Sequence, residues 1–197
     1  MTTYNGRDVA AFVPEDQKKK AKADQTAYVL HPPTIYNKSL FEQCVSRELA
    51  GGYAPTNLEL LDEVEKAVPA LVPKRKQKAL TELLARRRAT LEAGESNTEE
   101  DERKFTELCS GIYNDAPAVA HILNMRVAYQ NTLVSVACDV FLAGWRNVPD
   151  AENPVEFAKK YGVLKPGLLQ QIPAEHQSEI YAEILARSAV GEEDAKN

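Results

Sequence analysis

The sequence predicts a mainly α protein, a bundle of six or seven helices with an N-terminal β-hairpin. Three features carry that expectation. Side chains suited to helix N-caps recur ahead of apolar residues at helical spacing. Glycine or proline closes most of those stretches. Two short apolar runs of strand type, VAAFV and TAYVLH, stand apart near the N-terminus.

The runs Val9–Val13 and Thr26–His31 flank the polar, lysine-rich segment PEDQKKKAKADQ, and two runs around a solvated excursion read as a hairpin with a long loop. Tyr28 and Leu30 share one strand face, Val29 and His31 the other. His31-Pro32-Pro33-Thr34 ends the second strand, because consecutive prolines remove two donors and force extended backbone. The expected organisation is a hairpin and Pro-Pro turn over residues 1–36, docked on a helical domain over 37–190, with a disordered tail at 191–197.

Ser39-Leu40-Phe41-Glu42 has the spacing of a capping box, which predicts a helix to about Ala50, stopped by Gly51-Gly52. Thr56-Asn57-Leu58-Glu59 repeats the box. Leu58, Leu61, Val64 and Val68 form a stripe that Pro69 ends. Pro73 suits the first turn of a third helix running to about Ala93 and closed by Gly94. The acidic run Glu99–Glu102 opens a fourth at the positive end of its dipole, with Phe105, Leu108, Cys109 and Ile112 on its buried side. Asp115 and Pro117 start a long helix carried to Ala143, with Gly144 at its end. Between Ala116 and Gly144 the only Asp, Glu, Lys or Arg residues are Arg126 and Asp139, so the helix is expected to be the central element, wrapped by the others. Asn153-Pro154-Val155-Glu156 predicts a short helix ending near Gly162, Pro166–Ile172 one or two turns, and Pro173 the start of the last helix. Expected core residues are Leu58, Leu61, Leu84, Phe105, Ile122, Leu133, Val136, Val140 and Phe141.

The chain's 197 residues suffice for a real core, and 44% apolar residues argue against wholesale disorder. A net charge of −5 disfavours a dedicated nucleic-acid binder. The most apolar stretch, Leu133–Trp145, is shorter than the ~20 residues of a membrane span and contains Asp139, so no membrane association is expected. No apolar leader segment stands at the N-terminus. Cys44, Cys109 and Cys138 lack framework spacing, which suits buried thiols in a reducing cytoplasm.

No metal-ligand spacing, phosphate loop or nucleophile motif occurs, and the chain is read as a non-enzyme without metal or cofactor. The histidines His31, His121 and His176 are not placed by sequence beside any thiol. Glu175-His176 are adjacent and point in different directions on a helix, unlike the Glu-x-x-His of di-metal bundles. The basic clusters Lys18–Lys22 and Lys74–Arg88 read as solvated faces, without the aromatic interleaving of single-strand binders; docking to an acidic protein is the alternative. Asn124, Arg126, Gln130 and Asn131 on the long helix read as solvent-facing or loop-capping groups, or else as a polar track for a partner.

The segments VAAFVPEDQ and QTAYVLHPPTIYNKSLFEQCV resemble tail assembly chaperones encoded in the tail-gene clusters of long-tailed bacteriophages. In those proteins a strand ending in an apolar-Leu-x-Pro-x-Thr turn leads into a helix-rich body; here the turn is Tyr28–Thr34, and the resemblance covers residues 9 to about 50. It implies a chaperone that binds the tape-measure protein, or acts with the tail-tube protein, in the host cytoplasm, keeping the tape measure soluble during tail assembly. Two other readings stand beside it: a structural virion component of the neck or tail, and a small enzyme or regulator whose site forms only in three dimensions. The candidate partner-binding residues are Ile180, Tyr181, Ile184 and Leu185, because a terminal amphipathic helix can be shared between subunits.

Overall fold

The computed structural model describes residues 10–50 and 52–194; Val9 of the expected hairpin and residues 195–197 of the expected tail lie outside them. The chain divides into two compact units. One combines the residues up to 52 with those from 131 onward, and the other is residues 53–130. The sequence reading draws its boundary at 36/37 instead and keeps 37–190 together. The described residues form six α-helices and five short strands, in keeping with the mainly α expectation.

The first unit holds β1 (Ala10–Phe12), β2 (Ala27–Leu30), α1 (Ile35–Glu48), the C-terminal part of α5 (Pro117–Phe141), β3 (Leu142–Arg146), β4 (Lys159–Lys160), β5 (Val163–Leu164) and α6 (Ala174–Asp194). The expected hairpin is present, with Phe12 opposite Tyr28 and Ala10 opposite Leu30. Tyr28 and Leu30 share the fully buried face. β3 joins β2 on its other side, giving the order β1-β2-β3, with Tyr28 opposite Trp145 and an irregularity where Ala143 is passed over. The core includes Tyr28, Leu30, Val136, Val140, Phe141, Leu142, Ile180 and Ile184.

β3 corrects the sequence reading, which extends the helix to Ala143. The largely apolar run from Leu133 passes from helix into strand with no glycine or proline before Gly144, and such a run cannot reveal the change of period. α1 also starts earlier than Ser39. Thr34 is its N-cap, with Oγ1 accepting from the Asn37 amide at 3.3 Å, because Pro32-Pro33 hold the chain extended up to that residue. The helix expected after Asn153 is absent. The Glu152 and Asn153 amides donate to Asp150 Oδ1, Val155 N donates to the Val148 carbonyl, and Trp145 Nε1 donates to the Val155 carbonyl at 2.7 Å. These bonds tie the segment down in irregular form before the β4–β5 hairpin. The tail expected from Gly191 is helical through Asp194.

The second unit holds α2 (Asn57–Leu71), α3 (Lys74–Glu92), α4 (Glu99–Ile112) and the N-terminal part of α5. Thr56 and Glu59 close the capping box at both ends, at 3.1 and 2.6 Å. The stripe is Leu60, Leu61, Val64 and Val68. Leu58, expected in the core, is 36% exposed, since the cap fixes a phase that turns it away in the first turn. Pro69 lies inside α2 and does not end it. Standing in the last turn, it removes a single helical donor, and Gln77 Nε2 donates to the Pro69 and Val72 carbonyls at 3.1 and 2.8 Å. α3 stops where Gly94 takes a positive φ of 70°. The core adds Leu84, Phe105, Leu108, Cys109, Ile112 and Val119 to that stripe.

α5 is not wrapped along its length. Val119 enters one core and Val136–Phe141 the other, apart from half-buried Asp139, and no residue between 120 and 135 is fully buried; Val127 is 59% exposed. Ile122 and Leu133 are accordingly only partly buried. No helix among the described residues is long and apolar enough to cross a membrane.

Candidate functional site

Of the four residues proposed on the last helix, Ile180 is fully buried and Ile184 is 5% exposed; both belong to the core of their own unit. Tyr181 is half-buried against that core, and Leu185 is 52% exposed. Two of the four are therefore committed to the fold, because the stripe faces inward. As placed, they offer a partner no surface.

Sequence reasoning saw no partner for His176, yet the structure gives it two. Tyr28 Oη lies 2.8 Å from His176 Nδ1, and His176 Nε2 lies 3.0 Å from Asp16 Oδ1. A carboxylate, an imidazole and a hydroxyl in series have the order of a catalytic relay. Burial pushes the Asp16 carboxyl up, but hydrogen bonds from Gln17 and His176 outweigh it and hold the group below its ordinary value. The terminal hydroxyl is where the likeness to an active site ends. Tyr28 is fully buried, burial raises its pKa well above the ordinary phenol value, and no substrate can approach it. The series is a polar tie, buried at Tyr28 and His176 and exposed at Asp16, between β2, the 3₁₀ turn Glu15–Gln17 and the start of α6. All three cysteines are buried and free. Burial pushes the Cys138 thiol up to about 12 and Cys109 up to about 11, which suppresses the thiolate a nucleophile needs.

A second titratable cluster lies at the end of α5. Lys159 Nζ donates to the Val140 carbonyl at 2.7 Å, a cation at the negative end of a helix. Burial lowers Lys159 to about 8 against the opposing pull of Asp139. Burial raises Asp139 to about 6, opposed by Lys159 and reinforced by Glu48. His31 is lowered by burial and then by Lys159. Among the described residues no three His, Cys, Asp or Glu side chains gather to hold a metal.

Two of the polar residues singled out on the long helix, Arg126 and Asn124, have local partners. Arg126 donates through Nε to the Pro55 carbonyl at 3.1 Å and through Nη2 to that of Thr56, and Asn124 Oδ1 accepts from Tyr113 at 2.8 Å. Both fasten the unit's own loops and helix ends.

The feature best suited to binding is an open groove of about 600 Å³ in the second unit. The end of α2 leads into it, and α3 and α4 line it. Leu71, Val72, Ala79, Leu80, Leu83, Leu108, Gly111 and Ile112 supply its apolar surface, of which Leu71, Ala79 and Gly111 are exposed and Leu80 and Val72 half-buried. A Cβ at Gly111 would meet nothing within 4 Å, so this position keeps one wall low. Arg75, Lys76, Arg86 and Lys104 rim the groove, with Glu107 the one acid. Arg86 pairs with Asp101 at 3.0 Å, Lys104 with Glu100 at 2.6 Å and Glu107 with Arg103 at 3.1 Å. Arg75 and Lys76 make no ion pair among the described residues. Sequence reasoning read the Lys74–Arg88 cluster as a solvated face, with docking to an acidic protein as the alternative. The signal it passed over is position: cations crowd the first turn of α3, where the helix dipole disfavours them.

Set against known proteins, the chain matches no protein-family model, and neither a curated protein nor a solved structure aligns with it significantly.

Proposed function

We propose that this protein acts by binding another protein, in the manner of a phage tail assembly chaperone that holds the helical tape-measure protein in solution until tube subunits polymerise around it. The observation that carries this reading is the apolar groove of residues 53–130. Helix-in-groove recognition requires a strip of apolar side chains between two helices that a third can cover, and Leu71, Leu80 and Val72 present such a strip. The resemblance over residues 9 to about 50 supplies the class of partner. A net charge of −5 helps keep a complex with an apolar chain dispersed. In this reading the protein works in the host cytoplasm, needs no cofactor and catalyses nothing.

Co-expression with a phage tape-measure protein is the direct test. A shift of that protein from the pellet to the soluble fraction, with a complex recovered by affinity purification, is the expected result. Unchanged solubility and no recovered complex would end the reading.

A further inference from the structure

We propose that the groove between α3 and α4 takes an amphipathic helix whose apolar stripe ends in a cluster of carboxylates, seated beside Arg75 and Lys76. The inference rests on the protein-binding reading above and names the chemistry of the partner segment. Two independent features of the groove converge on it.

The first is the distribution of charge. At the far end, Arg86 and Lys104 are answered by Asp101 and Glu100. At the near end, Arg75 and Lys76 have no acidic counterpart among the described residues. The groove thus has a neutralised end and an open cationic end, and a partner gains most by bringing its negative charge to the second.

The second is a local cost to the fold. α3 begins behind Pro73, without a side-chain cap and without an acid in its first turn. Lys74, Arg75 and Lys76 instead stand in the first turn, at the positive end of its dipole, which disfavours them. Carboxylates arriving from a partner reverse that disadvantage.

The occupant's dimensions follow from the walls. Arg75 and Arg86 are eleven positions apart on one helix, about 16 Å at 1.5 Å per residue, which suits a segment of about three turns. The apolar floor asks for residues at i, i+3 or i+4, and i+7. No aromatic side chain lines the groove, so the stacking platform that single-stranded nucleic acid uses is missing.

The test uses the full-length protein and a labelled synthetic helical peptide of about 14 residues, with leucines on one face and glutamates at one end. Fluorescence anisotropy at low and high salt reads its binding. Two control peptides carry lysines for the glutamates, or serines for the leucines; a leucine-free polyglutamate and a single-stranded oligonucleotide are the competitors. The expected result is binding of the acidic amphipathic peptide alone, weakened by about tenfold or more in R75E/K76E and by high salt. Gly111→Leu, which raises the low wall without touching the charges, is expected to weaken it as well. Both changes are at exposed positions, and circular dichroism checks that the helices persist.

Equal binding of the acidic and basic peptides overturns the proposal, as does displacement by the leucine-free polyanions. Indifference to both variants overturns it too. If the peptide fails while the tape-measure complex still forms, the groove assignment falls and the protein-binding reading stands. If the peptide binds as described but the tape measure is unaffected, the groove assignment stands and the chaperone reading falls.

Discussion

Residues 53–130 build their unit from one uninterrupted stretch of helices, whereas the other unit gathers two segments from opposite ends of the chain around a small sheet. The two are fastened by different chemistry. In the contiguous unit, the consecutive arginines Arg86, Arg87 and Arg88 fan out at about 100° each, the first two reaching Asp101 and Glu102 on α4 and the third Asp62 and Glu65 on α2. Arg87 is buried, with its guanidinium 4.1 Å from the Phe105 ring centroid. In the composite unit, the corresponding ties are strand ladders and the Asp16–His176–Tyr28 series, in which Tyr28 and His176 are buried and Asp16 is exposed. Neighbouring helices can be registered by side-chain charge. Strands brought from far apart are registered by backbone bonds and by buried hydroxyl and imidazole groups.

The strongest challenge to this contrast is truncation in each core, where the two units should behave alike. Ile180→Ala and Leu61→Ala, both at fully buried positions, are each expected to cost about 3 kcal/mol in urea unfolding. A loss below about 1 kcal/mol in either would show that its stripe is not a packed core.

Next come the polar ties, where the units should differ. Glu102→Ala leaves the buried Arg87 guanidinium without its acid and should cost about 2 kcal/mol, below the usual range for a buried pair because Glu102 is half-exposed. Tyr28→Phe strips the hydroxyl from His176 Nδ1 and should cost about 1 to 2 kcal/mol. High salt should reduce the first loss and leave the second unchanged. Equal salt sensitivity would erase the distinction.

A pH series sharpens it further. Asp139 is raised to about 6 in the folded chain from 3.8, so the folded state holds that proton more tightly, and stability should decline as pH rises from about 4 to about 6. Lys159, lowered to about 8 from 10.5, has the opposite effect. Its charged form is disfavoured in the fold, and stability should recover as pH climbs from about 8 toward 10.5. Asp139→Asn should remove the acid-side decline, read as urea midpoints across that range. Persistence of the decline in that variant would assign it to another group.

The smallest effect concerns the β4–β5 hairpin. Tyr161 and Gly162 both take positive φ, 54° and 83°, as the two central residues of a type I′ turn do, and tyrosine is poorly suited to that region. Tyr161→Asn should raise stability by about 0.5 kcal/mol, visible as a small increase in Tm. A decrease would mean that the Lys160 ammonium over the Tyr161 ring, at 5.2 Å, outweighs the backbone strain.

The contrast also explains what the sequence made legible. The capping box at Thr56, the glycine stop at Gly94 and the acidic opening of α4 are local signals, and the helices beside them stand where those signals put them. β3 and the loop after Asp150 are specified by partners elsewhere in the chain. No window around Leu142 contains the Leu30 backbone that it pairs with, or those of Val29 and Tyr28 opposite Gly144 and Trp145. The groove was half legible: its basic residues stand out in sequence, but the exposure of Leu71 and the open space at Gly111 exist only once the helices pack. The same holds for His176, whose hydroxyl partner lies at the other end of the chain.

The join between α5 and β3 has no loop: Phe141 closes the helix, Leu142 opens the strand, and the Phe141 carbonyl already accepts the His31 amide at 2.7 Å. No loop there can absorb a change in length, and the irregularity at Ala143 already holds the one residue it passes over. One residue inserted between 131 and 141 would turn the end of the helix by about 100°, and one inserted in β3 would carry its inward side chains to the opposite face. Homologous chains should therefore vary in length within 147–158, where the backbone is irregular, and hold a constant length from 131 to 146. Insertions and deletions across relatives would trace the junction as a gap-free block.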